Sequence, residues 1–363
     1  MRIVSPFLKR VLYPSLAAAG IFRHTSASGV AIVTYHGVLP AGYELVDPTL
    51  DGNLIRAEKL RWQLRLLKEH YHVISPEDLL AWREGRYSLP PRAVLLTCDD
   101  GLLNCLTDML PVLQQEAVRC LFFVTGASCG EARTTLWYED LLRLFLGAPA
   151  GRFEISSGGV TANGDVGTRT QRQAVWWKLV MQISQVDADA RARFLAVARE
   201  QLGSSSWRAV DAGDSVSSRR FGLLTRSELQ QLAAAGMTIG AHTLSHPMLS
   251  QMPADLARAE MVESRARLEA AVQSRVWAFA YPFGDAQSVT PQVLKMAEDA
   301  GFAAAFLNFG GGLGTDLPPY ALPRLHVTAE MSEAEFEAHV SGFYAWLQRR
   351  AGRTAGNPGT ARL

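Results

Sequence analysis

Excess charge of either sign is missing from this 363-residue chain: 36 lysines and arginines stand against 35 aspartates and glutamates, a net of +1. With no overall field and no compact basic block, nucleic acid is not the expected partner. Cysteine is scarce too. Cys98, Cys105, Cys120 and Cys129 lack the paired two-residue spacing of a zinc knuckle, and a chain that is 48% hydrophobic needs no disulfide framework. Cys98 and Cys120 read as small hydrophobes on strands, a pattern that weakly favours a reducing compartment. Long apolar runs are also absent. The N-terminal segment Val11–Phe22 is interrupted by Pro14 and is too short to span a bilayer. No internal repeat is visible.

What is present is a rhythm. Strand-length apolar runs occur at 30–38, 71–75, 93–101 and 118–126, and again at 237–243, 276–284, 302–310 and 322–328. Several are apolar at successive positions, as in parallel strands covered on both faces. Helical patterns separate them: 57–70 repeats its apolar residues at three and four, and 225–236 opens on Thr225 and Glu228 and closes on Gly236. The stretches 253–272 and 290–301 carry similar signals. Strand and helix in alternation over seven or eight units predict an α/β fold, a distorted (β/α)7-8 TIM-like barrel.

The rhythm breaks at about 131–222, which reads as a mostly helical insertion containing a Gly-rich turn region. The barrel is expected over 30–350, with residues 351–363 a disordered tail. Residues 1–29 read as an uncleaved amphipathic segment suited to peripheral contact with a membrane, although Ser26–Ser28 would also serve as a signal-cleavage site. The expected setting is cytoplasmic or membrane-peripheral, with export left open. Oligomeric state is not legible.

Parallel barrels carry their reactive groups at the C-terminal ends of strands. Asp99 and Asp100 stand there after an apolar run, and Gly101 permits a sharp exit. Two crowded carboxylates are relieved if a cation takes one and the other stays free as a base; an isolated pair would more often be a helix cap. His242 and His246, four apart at another strand end, shift the balance. Two imidazoles and a carboxylate form a three-ligand metal set with open positions for water and substrate.

These motifs resemble the polysaccharide deacetylases of carbohydrate esterase family four, the nodulation-factor deacetylase homology domain. Thr97-Cys98-Asp99-Asp100-Gly101 stands where the family has Thr-Phe-Asp-Asp-Gly, and His242-Thr243-Leu244-Ser245-His246 matches its His-Ser/Thr-x-x-His. The resemblance covers about 30–330. It implies Asp99 as general base and Asp100, His242 and His246 as ligands of a divalent metal, zinc by preference. Ala280-Tyr281-Pro282-Phe283-Gly284 departs from the family's third motif by lacking its arginine, yet keeps Pro-Phe-Gly, so the Phe283 amide is the expected oxyanion donor. Arg324 could supply the missing guanidinium or sit in a surface salt bridge. The family's acidic fourth motif is not found. The general acid is expected at His36, in the Tyr35-His36-Gly37 typical of members acting on exported poly-N-acetylglucosamine, with His326 as the alternative. Tyr281 and Phe283 are candidates for sugar stacking. The pairs Trp137-Tyr138 and Trp176-Trp177 are candidates for saccharide or lipid-carrier contact, with helix packing the expectation for both pairs. The expected partner is an N-acetylated glycan, and the expected activity is removal of its acetyl groups. A small-amide hydrolase and a non-catalytic saccharide binder are the competing readings.

Overall fold

A computed structural model describes residues 7–23, 29–203, 215–285, 288–311 and 317–350. The tail 351–363 and the Ser26–Ser28 site lie outside these. Strands β1 (Val30–Tyr35), β2 (His72–Val73), β3 (Ala93–Cys98), β4 (Leu121–Val124), β5 (Arg152–Ser157), β6 (Val160–Asp165), β7 (Thr238–Ala241), β8 (Ala278–Ala280), β9 (Ala304–Gly310) and β10 (Leu322–His326) follow in chain order. The parallel sheet runs β1-β10-β9-β8-β7-β4-β3, and β1 pairs with β3 to close it into a seven-stranded barrel. The short β2 pairs with the start of β3.

Alternation along these strands decides what lies inside. Val30, Ile32, Ala93, Leu95, Leu121, Phe123, Ala280, Phe306 and Leu322 form one buried cluster, the barrel's filling. The intervening residues, among them Val33, Leu96, Phe122, Ala241 and Phe279, pack outward against helix residues such as Leu60, Leu64 and Leu67. A strand buried on both faces loses the polar half of its pattern, hence the continuous apolar runs. Gly240 faces this interior: a Cβ there would lie 2.6 Å from the Phe123 ring. Helix ends follow their signals. Thr225 and Glu228 form a reciprocal capping box, Gly236 takes φ +84°, and Thr290 caps Pro291–Asp299.

The insertion lies between β4 and β7. It begins and ends side by side, Thr135 bridging Gly222. It holds helices Trp137–Gly147, Arg169–Ile183 and Ala188–Leu202 around a core of its own, and helix Val216–Phe221, whose Phe221 packs with Leu50 and Leu142. It is not purely helical. The Gly-rich stretch is a β5–β6 hairpin turning at Gly158 and Gly159, both with positive φ, and Phe153, Ile155, Val160 and Ala162 are its buried alternate positions. All four cysteines are free and buried.

At the N-terminus, helical turns over Leu8–Ala18 bury Tyr13 against Ala338 and Phe343 of the last helices, while Phe7, Val11 and Ile21 stay exposed. Among the described residues, no helix is long and apolar enough to cross a membrane. In this junction His339 stacks on Tyr344 at 4.2 Å. Burial, with the Lys9 charge adding to it, pushes the His339 pKa down from 6.5 to about 4. Such a group binds its proton more readily when unfolded, so the stability it contributes is present above pH 6.5 and is lost as pH falls toward about 4. The denaturant midpoint is expected to fall across that window, and to fall less in His339→Asn. Parallel pH curves for the two proteins would refute this.

Candidate metal centre and cleft

The inward positions continue past the filled core to the top of the barrel. Beyond Ile32 come Thr34 and His36; beyond Leu95 come Thr97 and Asp99; beyond Gly240 comes His242; beyond Phe306 comes Asn308; beyond Leu322 come Arg324 and His326. The site is thus the uppermost layer of the same alternation that fills the barrel.

Asp100 would point away from Asp99 on a regular strand. Instead it takes φ +76° and Gly101 takes +78°, which turns its carboxylate back over the barrel mouth. A Cβ on Gly101 would meet Val124 at 2.7 Å. Asp100 Oδ1 lies 3.4 Å from His242 Nε2 and 3.3 Å from His246 Nε2. The three ligand atoms fall within 4.8 Å of one another, and all three residues are buried. His242 Nδ1–H donates to the Ala280 carbonyl at 2.8 Å, which leaves Nε2 facing Asp100. This donor set fits a divalent cation. Burial opposes ionisation of Asp100, but the two imidazoles outweigh it and hold the carboxyl well below the usual range. Burial disfavours the His242 cation, yet its bond to Asp100 and the Asp99 charge leave its pKa raised; His246, where burial dominates, is lowered.

Asp99 lies beside this set. Arg324 grips it with both arms, Nη1 to Oδ1 at 2.6 Å and Nη2 to Oδ2 at 2.5 Å, and also donates to the Leu307 carbonyl and Thr97 Oγ1. The guanidinium is fully buried inside the barrel, over the Phe123 ring. Arg324 is therefore no surface salt bridge. Burial raises the Asp99 pKa, but Arg324 outweighs it and leaves the carboxyl below the ordinary value.

His36 and His326 stack with ring centroids 4.7 Å apart. His36 lines the cleft with a buried, unpartnered Nδ1. His326 stands behind it, its pKa pushed down to about 3 by burial and then by His36. Phe283 takes φ +61° at the centre of a tight turn closed by Gly284 N–H to the Pro282 carbonyl at 2.6 Å. Thr243 and His246 also have positive φ, so backbone strain is concentrated around this one opening.

The cleft encloses about 250 Å³. Its walls include residues not singled out from sequence. Thr49, Leu50, Asn53 and Leu54 come from the segment after β1, Glu139 from the insertion, and Asn308 from β9. Asn308 Oδ1 is buried without a partner. Tyr138, Trp176 and Trp177 line it as well, whereas Trp137 turns into the insertion core. Trp177 is 42% exposed, and its ring approaches that of Phe283 edge-on at 6.0 Å. Tyr281 reaches the cleft but sends its hydroxyl to the Tyr320 carbonyl. Glu139 is tied down by Arg220, a fully buried guanidinium that also holds Asp51 at 3.0 Å, so one cation joins the insertion to the β1 segment.

Residues 192–305 match the model of the polysaccharide deacetylase family. The polysaccharide deacetylase likeness in sequence is carried by this stretch. The matched stretch holds His242, His246 and Phe283; His36, Asp99, Asp100 and Arg324 join them only through the fold. A putative polysaccharide deacetylase of Bacillus subtilis strain 168, YxkH, is 27% identical over 117 residues, 32% of this chain and 41% of that relative. IcaB from Ammonifex degensii shares the fold with a TM-score of 0.54 at 17% identity, over 87% of this chain and 98% of that one. The Streptococcus pyogenes deacetylase PplD, solved with acetate, aligns with a TM-score of 0.52 at 16% identity over 86% and 99% of the two chains. At these identities both likenesses bear on the fold alone.

Proposed function

We propose that this chain is a hydrolase that removes N-acetyl groups from amino-sugar units of a bacterial poly- or oligosaccharide. The observation that carries the reading is the buried pair of acids with divided loyalties: Asp99 held by Arg324, and Asp100 held by two imidazoles, at the floor of one aromatic-walled cleft. Asp100, His242 and His246 would hold a divalent cation, zinc by the choice of two nitrogens and one oxygen. Such an ion supplies Lewis-acid polarisation of the amide carbonyl and makes nearby water easier to deprotonate.

The rest falls to the chain itself. Asp99 is kept ionised and oriented by Arg324, so its carboxylate accepts the proton of the attacking water. The Phe283 amide is presented by its tight turn and offers a hydrogen bond to the oxygen on which negative charge develops. An amine leaves badly unless protonated. His36, at the cleft wall, is the acid assigned to that step; His326 stands neutral behind it and serves to orient its ring. Asn308 Oδ1 and the Trp177 face are suited to a sugar's polar edge and apolar face.

Acetate release from chito-oligosaccharides is the direct test. Release that stops with a chelator and returns with zinc supports the reading. Hydrolysis confined to small non-sugar amides, or saccharide binding without acetate, would replace it. His36→Ala is expected to cut turnover about a hundred-fold or more without loss of metal. Near-normal turnover would transfer the role to His326.

A further inference from the structure

The two imidazoles of the centre are held in different ways. His242 is fixed from the barrel, through its Nδ1 bond to Ala280. His246 has no such bond: its Nδ1 is buried and has no acceptor. Its backbone is also the more demanding, since Thr243 and His246 take φ +62° and +57°, values that a β-branched or bulky residue adopts only under constraint. The barrel supplies part of that constraint: Glu260 accepts from the Leu244 and Ser245 amides at 2.9 and 2.8 Å.

The insertion supplies the remainder. The Trp137 indole N–H donates to the His246 carbonyl at 3.1 Å in a buried bond. The neighbouring Tyr138 lays its ring against the His246 imidazole, centroids 4.9 Å apart and planes 39° from parallel. Arg191, on another insertion helix, donates to Ser245 Oγ at 2.6 Å and stacks its guanidinium 5.1 Å from the Trp137 ring centroid. Three insertion residues thus converge on two consecutive residues of the metal loop.

We propose that the insertion is a clamp for the metal centre, with Trp137, Tyr138 and Arg191 as positioning residues that aim His246 Nε2 at the ion. Packing and a backbone bond replace the side-chain hydrogen bond that usually orients a ligating histidine. The inference rests on the metal-site reading above, and the test separates the two. Zinc affinity of the full chain is measured by competition with a chromophoric chelator, and ligand geometry by the visible absorption of the cobalt-substituted protein. Wild type should bind one zinc. Trp137→Phe, which removes the indole N–H and keeps a smaller aromatic ring, and Tyr138→Leu, which removes the ring, should each weaken zinc 10- to 100-fold and alter the cobalt spectrum. Tyr138→Phe keeps the ring and should bind as wild type does. Val180→Ala, a truncation in the insertion core, serves as the structural control and should leave affinity within about threefold. Wild-type affinity in both Trp137→Phe and Tyr138→Leu would overturn the clamp while leaving the centre intact. Equal weakening in Val180→Ala would overturn it too, by reducing the effect to general loosening. Failure of the wild type to bind zinc or cobalt would remove the metal reading itself, and the clamp with it.

Discussion

Asp99→Asn is expected to lower kcat about a hundred- to ten-thousand-fold with metal content unchanged. The change keeps the shape of the side chain and removes its basicity. The metal set does not include Asp99, so stoichiometric zinc should persist in the variant. Its carboxylate is poised for the task because burial and Arg324 act in opposition: burial alone would leave it protonated more often, and the guanidinium more than offsets that. An amide in its place presents an N–H₂ to the same guanidinium, donor against donor, so some stability is lost as well. Turnover must therefore be measured well below the variant's unfolding temperature, with the fold checked by circular dichroism and zinc by mass spectrometry. Asp100→Asn should behave differently, losing activity and metal together. Turnover of Asp99→Asn within tenfold of wild type would remove Asp99 as the base.

Much of this centre was legible in the chain because each part is locally encoded. Asp99-Asp100-Gly101 and His242-x-x-x-His246 are contiguous, sit at strand ends, and need only the general rule that barrel chemistry gathers at the C-terminal face. The Arg324–Asp99 pair could be raised as a candidate but not chosen, since it depends on closure of the barrel bringing β10 beside β1 and so near β3. Asn308 was missed although its signal was present: it stands two residues beyond the inward Phe306, on the site's side of the strand. The β5–β6 hairpin was missed for a similar reason, its Phe153/Ile155 and Val160/Ala162 alternation being overshadowed by the glycines between them. The insertion's contribution was illegible for a different reason. Trp137, Tyr138, Trp176 and Trp177 follow a helical spacing that serves equally for packing and for lining a cleft, and the structure uses them for both. Only the packing of the insertion core against the barrel decides which ring faces where.

Arg324→Met is expected to destabilise the fold by about 3–5 kcal/mol, because it strands a buried carboxylate. The side chains of Arg324 and Asp99 are 0% and 2% exposed, so water reaching Asp99 from the cleft replaces the two lost bonds poorly. The same substitution leaves the Leu307 carbonyl and Thr97 Oγ1 without the guanidinium that bonds them. Methionine fills comparable space and keeps contact with Phe123, so the loss reports charge and hydrogen bonding rather than a cavity. Arg324→Lys should rescue little, since a single ammonium cannot reproduce two parallel bonds at 2.6 and 2.5 Å. The decisive comparison is the double variant. Asp99→Asn alone strands the guanidinium and Arg324→Met alone strands the carboxylate, but together they leave no buried charge. Urea unfolding should therefore show the double variant more stable than the Arg324→Met single, a coupling of the size found only for groups in direct contact. Additive losses would mean that the two side chains contribute to the barrel top independently. The pair would then be a product of crowding at the strand ends, and Arg324 would no longer explain how Asp99 stays charged at the buried floor of the cleft.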